Sequence, residues 1–237
     1  MSKQRFIIFS PYGGNVSSAV ASCQKQVIEQ YLPQDWVFEQ QLVRGSFSHP
    51  IALDEFVRSC NDEDFLFLLD IDCIPLSEKA LPFLARYVAG DNGRGLVGAI
   101  QRANHIQNGK HLYVGPFCMA FSKAYYKTVG SPSFVETYRG DAGEELTYRW
   151  VEASGFTPRS GGEYYRYPRN VHFIWPSSCL QPMWDLDYGF KFGFGTTYGT
   201  SAESQLFFHQ FNIRVPEMQQ IFVKKCEEIL NHERTLV

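Results

Sequence analysis

Residues 65–76, FLFLLDIDCIPL, set five apolar side chains in a row and then two aspartates, Asp70 and Asp72, one residue apart. An unbroken apolar run of this length is the pattern of a strand buried on both faces, as in a parallel sheet covered by helices. The residues around it repeat the theme. RFIIFS (5–10) is a first short strand that turns at Pro11, Gly13 and Gly14, and Asn15 is placed to cap a helix carrying Val16, Val20, Cys23, Val27 and Tyr31 up to Pro33. WVFEQQLV (36–43) gives a second strand, PIALDEFVRSC (50–60) a second helix begun by proline, and 65–72 the third strand. Strand, helix, strand, helix, strand within 72 residues predicts an α/β fold with right-handed crossovers.

Farther along, LSEKALPFLARYVAG predicts a helix, GLVGAIQ a strand, and HLYVGPFCMAFSKAYYKTVG a strand running into a short helix. The segment 141–155, with Leu146, Trp150 and Ala153 on one face and Gly155 as its stop, predicts another helix. Residues 160–200 are rich in Gly, Pro and aromatic residues and read as irregular structure over the sheet. VPEMQQIFVKKCEEILNHE then closes the chain as a helix opened by Pro216. The 237 residues accommodate one domain with a single core: a first half (1–100), a second half (101–214) and a C-terminal helix (215–237).

Bulk properties narrow the function. A net charge of -3 argues against nucleic-acid binding, which needs a basic surface to neutralise phosphates. Six cysteines at long intervals, without CxxC pairs or zinc-ligand spacing, read as free thiols in a reducing compartment. The apolar run near the N-terminus is too short for a signal peptide, and no stretch approaches the roughly 20 apolar residues of a membrane span. The expectation is a soluble cytoplasmic protein without an integral membrane segment, peripheral membrane contact remaining open.

Ligands of open parallel sheets bind at the carboxyl ends of strands, where Asp70 falls. Side chains two apart on an extended chain share a side, so Asp70 and Asp72 can converge on one hard cation. Buried carboxylates without a partner are costly, and a divalent ion with bound phosphates removes that cost. The alternative assigns both to a turn before the helix near Ser77.

With this position and these neighbours, FLFLLDIDCIPL resembles the DxD motif of GT-A fold glycosyltransferases. The likeness extends to FSPYGGNVSSAVASCQKQVIEQY, LYVGPFCMAFSKAYYKTVG and GDAGEELTYRWVEASGF. It implies a GT-A-like, Rossmann-type, mostly parallel sheet flanked by helices, an irregular C-terminal lid region and a C-terminal helix. It further implies transfer, taken as inverting, of a sugar from a nucleotide-sugar donor to a carbohydrate or other hydroxyl acceptor, with UDP-sugar preferred and GDP-sugar next. Mn2+ or Mg2+ would be the cofactor. Asp70 and Asp72 would hold the metal and, with Ser10, Asn15, Ile71 and Lys191, the donor. His209 in LFFHQFNIR would complete the metal shell, with His172 as second choice. An acid before a late helix would be the general base: Asp141 first, with Glu144 and Glu145 as the other catalytic candidates. Asp141 and Glu144 equally suit a D-x-x-E capping box.

The glycines of GFKFGFGTTYGTS suit a closing lid, Lys191 offsetting diphosphate charge, and Trp175, Trp184, Tyr164 and Tyr165 suit a sugar face. Two other readings stand beside this one. A haloacid-dehalogenase-like phosphatase would use Asp70 as nucleophile, although its motif belongs to a first strand. A catalytically silent carbohydrate-binding or structural protein would keep the fold without turnover.

Overall fold

Five apolar residues in succession do form a strand covered on both faces. In the computed structural model, which describes residues 4–44, 48–102, 112–156, 167–186 and 189–234, Phe65–Leu69 is β3, every residue of it buried. It lies between β1 (Phe6–Gly13), its parallel neighbour, and the antiparallel β6 (Leu112–Ser122). Alternation sends Phe65, Phe67 and Leu69 to one face and Leu66 and Leu68 to the other. The first face packs on Leu81, Leu84 and Val88 of α3 (Ala80–Gly93). The second packs on Leu53, Phe56 and Val57 of α2 (His49–Ser59) and on Leu146 and Trp150 of α5 (Glu144–Ala153).

The remaining elements are α1 (Ser18–Tyr31), β2 (Val37–Val43), β4 (Cys73–Pro75), β5 (Leu96–Arg102), α4 (Lys123–Thr128), β7 (Val171–Asp185), β8 (Lys191–Gly199), β9 (Phe207–His209) and α6 (Pro216–Arg234). The strands form one sheet of order β2-β1-β3-β6-β5-β7-β8-β9-β4. Along its first part β2, β1, β3, β5 and β7 run in one direction and β6 runs against them. The expected α/β architecture with flanking helices and a C-terminal helix is present, in a mixed sheet whose parallel pairs all lie in this first part. The part from β7 to β4 is antiparallel.

That order contains the geometry on which the site depends. β3 and β4 are separated by only three residues in the chain, yet β4 is the far edge of the sheet. The sheet therefore curls until its last strand returns beside the end of β3. Helices α1 and α6 close this side, joined through Val20, Val27, Phe222 and Cys226, and Ile71 and Ile74 insert among them.

Two local expectations are corrected. The helix-capping side chain of α1 is Ser17, whose Oγ accepts from the Val20 amide, and not Asn15. The stretch read as irregular is largely the long β7–β8 hairpin. Its glycines serve close strand approach: a Cβ at Gly193 would lie 2.4 Å from the Gln181 carbonyl oxygen, so no larger residue fits the pairing there. Tyr164 and Tyr165 lie outside the described residues.

All six cysteines are free thiols. Among the described residues no helix is long and apolar enough to cross a membrane.

Candidate active site

The turn from β3 into β4 carries both aspartates, and the fold anchors it through its backbone. The Asp70 amide donates to the Phe117 carbonyl (3.0 Å), and the Cys73 amide donates back to the Asp70 carbonyl (2.9 Å). From beneath, the fully buried Gln24 of α1 donates through Nε2 to the carbonyls of Asp70 (2.6 Å) and Cys73 (3.1 Å). Its Oε1 accepts from Ser10 Oγ and Gln40 Nε2, at 3.0 and 2.9 Å. Ile71, between the aspartates, is pinned in the α1–α6 cluster. With the backbone and Ile71 committed inward, the carboxylates are left for the outside.

β9 supplies the third group. Its register sets His209 opposite Cys73, and the Gln210 amide donates to the Asp72 carbonyl (2.9 Å). His209 Nε2 consequently lies 3.3 Å from Asp72 Oδ1, with its ring stacked on Phe117 at 4.0 Å between centroids. One ligating atom each from Asp70, Asp72 and His209 lies within 4.8 Å of the others. Asp72 and His209 are buried, and His209 Nδ1 has no hydrogen-bond partner among the described residues. Burial pushes the Asp72 carboxyl above the usual range, His209 opposing this and Asp70 adding to it. Burial acts on Asp70 in the same sense, but the charge of His49, whose Nε2 is 2.6 Å from Asp70 Oδ1, overrides it and holds that carboxyl low. Two crowded carboxylates and an imidazole are a donor set for a divalent cation of the manganese or magnesium kind. By this test the residues present fit the metal that the sequence suggested.

The three residues face a cleft of about 430 Å³ whose wall includes Asn15, His49, Ile71, Tyr113, Asp141 and Arg214. Asp141 is held at both oxygens: Tyr113 Oη donates to Oδ2 (3.1 Å) and the Ala142 amide to Oδ1 (2.7 Å). Burial, and then the Asp141 charge, raise the Tyr113 hydroxyl well above its ordinary pKa, so it stays a donor.

The anticipated capping box is half formed. Glu144 Oε2 accepts from the Asp141 amide (2.8 Å), but the cap position is Gly143, with φ +75 and Pro116 3.1 Å from where a Cβ would stand. Glycine is required there.

Several sequence candidates stand elsewhere. Ser10 is buried behind the turn as a support of Gln24. Glu144 is buried against Tyr148 Oη (2.9 Å), and Glu145 lies between Arg139 (2.7 Å) and Arg149 (2.8 Å), so neither lines the cleft. Lys191, at the start of β8, is exposed beside Asp185 (3.7 Å). His172 packs on Tyr87, at 4.2 Å between ring centroids. Trp184 packs on Phe192 and Phe211, and Trp175 on Phe173 and Phe190, away from the cleft wall except through Phe211. Gln24, His49, Tyr113 and Arg214 went unnoticed in the sequence.

The Glu145 pairs have a stability consequence. Burial opposes the charge, but the hydrogen bonds and charges of Arg139 and then Arg149 hold the Glu145 carboxyl below its ordinary value. A depressed carboxyl stabilises the fold above its unfolded pKa of about 4.3, and that stability is lost as the pH falls through the lower folded value. Glu145→Gln is expected to cost about 2 kcal/mol at pH 7. In urea unfolding the gap between the two proteins narrows once the pH drops below about 4.

No protein-family model matches the chain, and no curated protein matches it. Solved structures do. A 4-diphosphocytidyl-2C-methyl-D-erythritol synthase from Anaerococcus prevotii is similar at 10% identity, with a TM-score of 0.43, covering 68% of this chain and 90% of that one. The galactosyltransferase LgtC, in complex with donor and acceptor sugar analogues, is similar at 12% identity and a TM-score of 0.38, covering 73% and 74%. An active-site mutant of LgtC gives 12% and 0.39, covering 78% and 81%. Independently of these likenesses, the structure is a helix-flanked α/β sheet with the aspartates at the end of β3 and a histidine that the curled edge brings beside them.

Proposed function

We propose that the chain is a metal-dependent glycosyltransferase that moves a sugar from a nucleotide-diphosphate donor to a hydroxyl of a carbohydrate or related acceptor. The observation that carries this reading is the convergence of Asp70, Asp72 and His209 on one cleft that also contains Asp141. Asp70, Asp72 and His209 hold the cation, Mn2+ or Mg2+. When bound, it supplies positive charge for the departing diphosphate.

The chain's own groups do the rest. Pro11, Tyr12, Gly13, Asn15 and Val16 line the cleft on the first-half side and receive the nucleotide, a UDP-sugar before a GDP-sugar. Arg214 takes the part first expected of Lys191, offering a cation to the diphosphate from the cleft wall. Asp141 removes the acceptor proton as the acceptor oxygen bonds to the anomeric carbon and the bond from that carbon to the diphosphate breaks, the outcome being inversion. Tyr113 and the Ala142 amide aim the carboxylate for that step. In this division the half at 1–100 binds the nucleotide and gives two of the metal ligands, Asp70 and Asp72, while the half at 101–214 gives the third, His209, and serves the acceptor.

The test is turnover. Incubated with UDP- and GDP-sugars, with and without manganese, the protein is expected to release nucleoside diphosphate from one donor, only with the metal and faster with a carbohydrate acceptor. No release from any donor, together with hydrolysis of phosphate esters, would transfer the site to the phosphatase reading.

A further inference from the structure

Helix α2 is the element that brings His49 to the site. Leu53, Phe56 and Val57 fix the helix in the core beside Phe9 and Leu68, so its first residue stands at the carboxyl end of β1 and β3. Pro50 follows at the first turn, where its fixed φ and missing amide suit a helix start. His49 thereby meets Asp70 with little freedom to leave it.

We propose that His49 is a positioning residue for the cation site: it holds Asp70 Oδ1 and so turns the other carboxylate oxygen toward Asp72 and His209. Three observations carry this. His49 Nε2 is 2.6 Å from Asp70 Oδ1, a close ion pair between two buried atoms. His49 itself is not among the three residues whose ligating atoms converge, so its effect passes through Asp70. The two side chains are 20% and 26% exposed in the cleft wall, but the contacting atoms themselves are buried, so the pair stands at the inner face of the cleft beside Asp72 and His209. Asp70 is also the less enclosed of the two carboxylates. Its backbone is anchored on both sides, but among the described residues His49 supplies the one ion pair to its side chain, and partners of this kind fix the orientation of metal ligands.

The inference rests on the cation site described above, and the experiment separates the two. Manganese is titrated calorimetrically, with UDP present, into the wild type, His49→Ala and His49→Gln, and the unfolding midpoint of each is measured. Glutamine retains an amide donor near the Nε2 position. Manganese binding is expected to weaken by about tenfold or more in His49→Ala, within the range for lost partners of metal ligands. In His49→Gln it is expected to return to within about threefold of the wild type, with both variants still folded at the temperature of the titration. Unchanged or tighter manganese binding in His49→Ala overturns the proposal while leaving the cation site standing. An equal loss in both variants overturns it as well, since the retained donor would then count for nothing. Absence of manganese binding in the wild type overturns the site reading, and the proposal with it.

Discussion

Replacing Asp70 and Asp72 together by asparagine is expected to weaken manganese-dependent binding of a nucleoside diphosphate by about a thousandfold, a cation contact of several kcal/mol at roughly 1.4 kcal/mol per decade. The fold should survive. Asparagine keeps the volume of aspartate, and the hydrogen bonds that shape the turn come from backbone groups and from Gln24. Asp72 is moreover a carboxyl whose burial already disfavours its charge, so a neutral side chain of the same shape is tolerated there. The unfolding midpoint is expected to stay within about 3 °C of the wild type. Calorimetry beside thermal unfolding checks both parts. A double variant that binds nucleotide and manganese as the wild type does would remove these residues from the site.

The second large effect falls on turnover rather than binding. Asp141→Asn is expected to lower the rate of sugar transfer by about a thousandfold, within the range for loss of a general base, while donor affinity moves by no more than about threefold. The asparagine oxygen can still accept one of the two hydrogen bonds now made by Tyr113 and the Ala142 amide, so the cleft wall keeps its form. What is lost is the negative charge that would take the proton. Single-turnover kinetics at saturating donor, beside an affinity measurement, separates the two. Equal rates for the variant and the wild type would assign the proton to another group.

Both predictions begin in residues that the sequence made conspicuous, and the reason is local. Five apolar residues followed by D-I-D can be read without knowing what lies beside them, because a strand buried on both faces and its end are properties of one segment. His209 needed more: only the curl of the sheet brings β9 against β4 and Asp72. The resemblance to a family suggested that residue where periodicity alone could not.

Gln24 had a signal that went unread. It lies four residues from both Val20 and Ile28, on the apolar stripe of α1, and a glutamine at such a position has to satisfy its amide inside the fold. His49, Tyr113 and Arg214 had none, since each matters through a partner 21, 28 or more positions away or through the shape of the cleft. The β7–β8 hairpin was obscured by composition. Phe192, Phe194, Thr196 and Tyr198 alternate as a strand should, but the intervening glycines, which permit close approach to β7, resemble those of a loop. Lys191 and Glu145 were misplaced for the same kind of reason: their charge is visible in the sequence, whereas the ion pairs that occupy them are not.

The central claim is that Asp70, Asp72 and His209 form a divalent-cation site completed by a nucleoside diphosphate. Electron paramagnetic resonance of free manganese, titrated with the wild-type protein with and without UDP, tests it most directly. The account predicts that the free-ion signal falls to one bound manganese per chain, that UDP tightens the binding, and that Asp70→Asn with Asp72→Asn restores the free signal. A free-ion signal that the protein leaves unchanged, beyond what UDP alone removes, would contradict it.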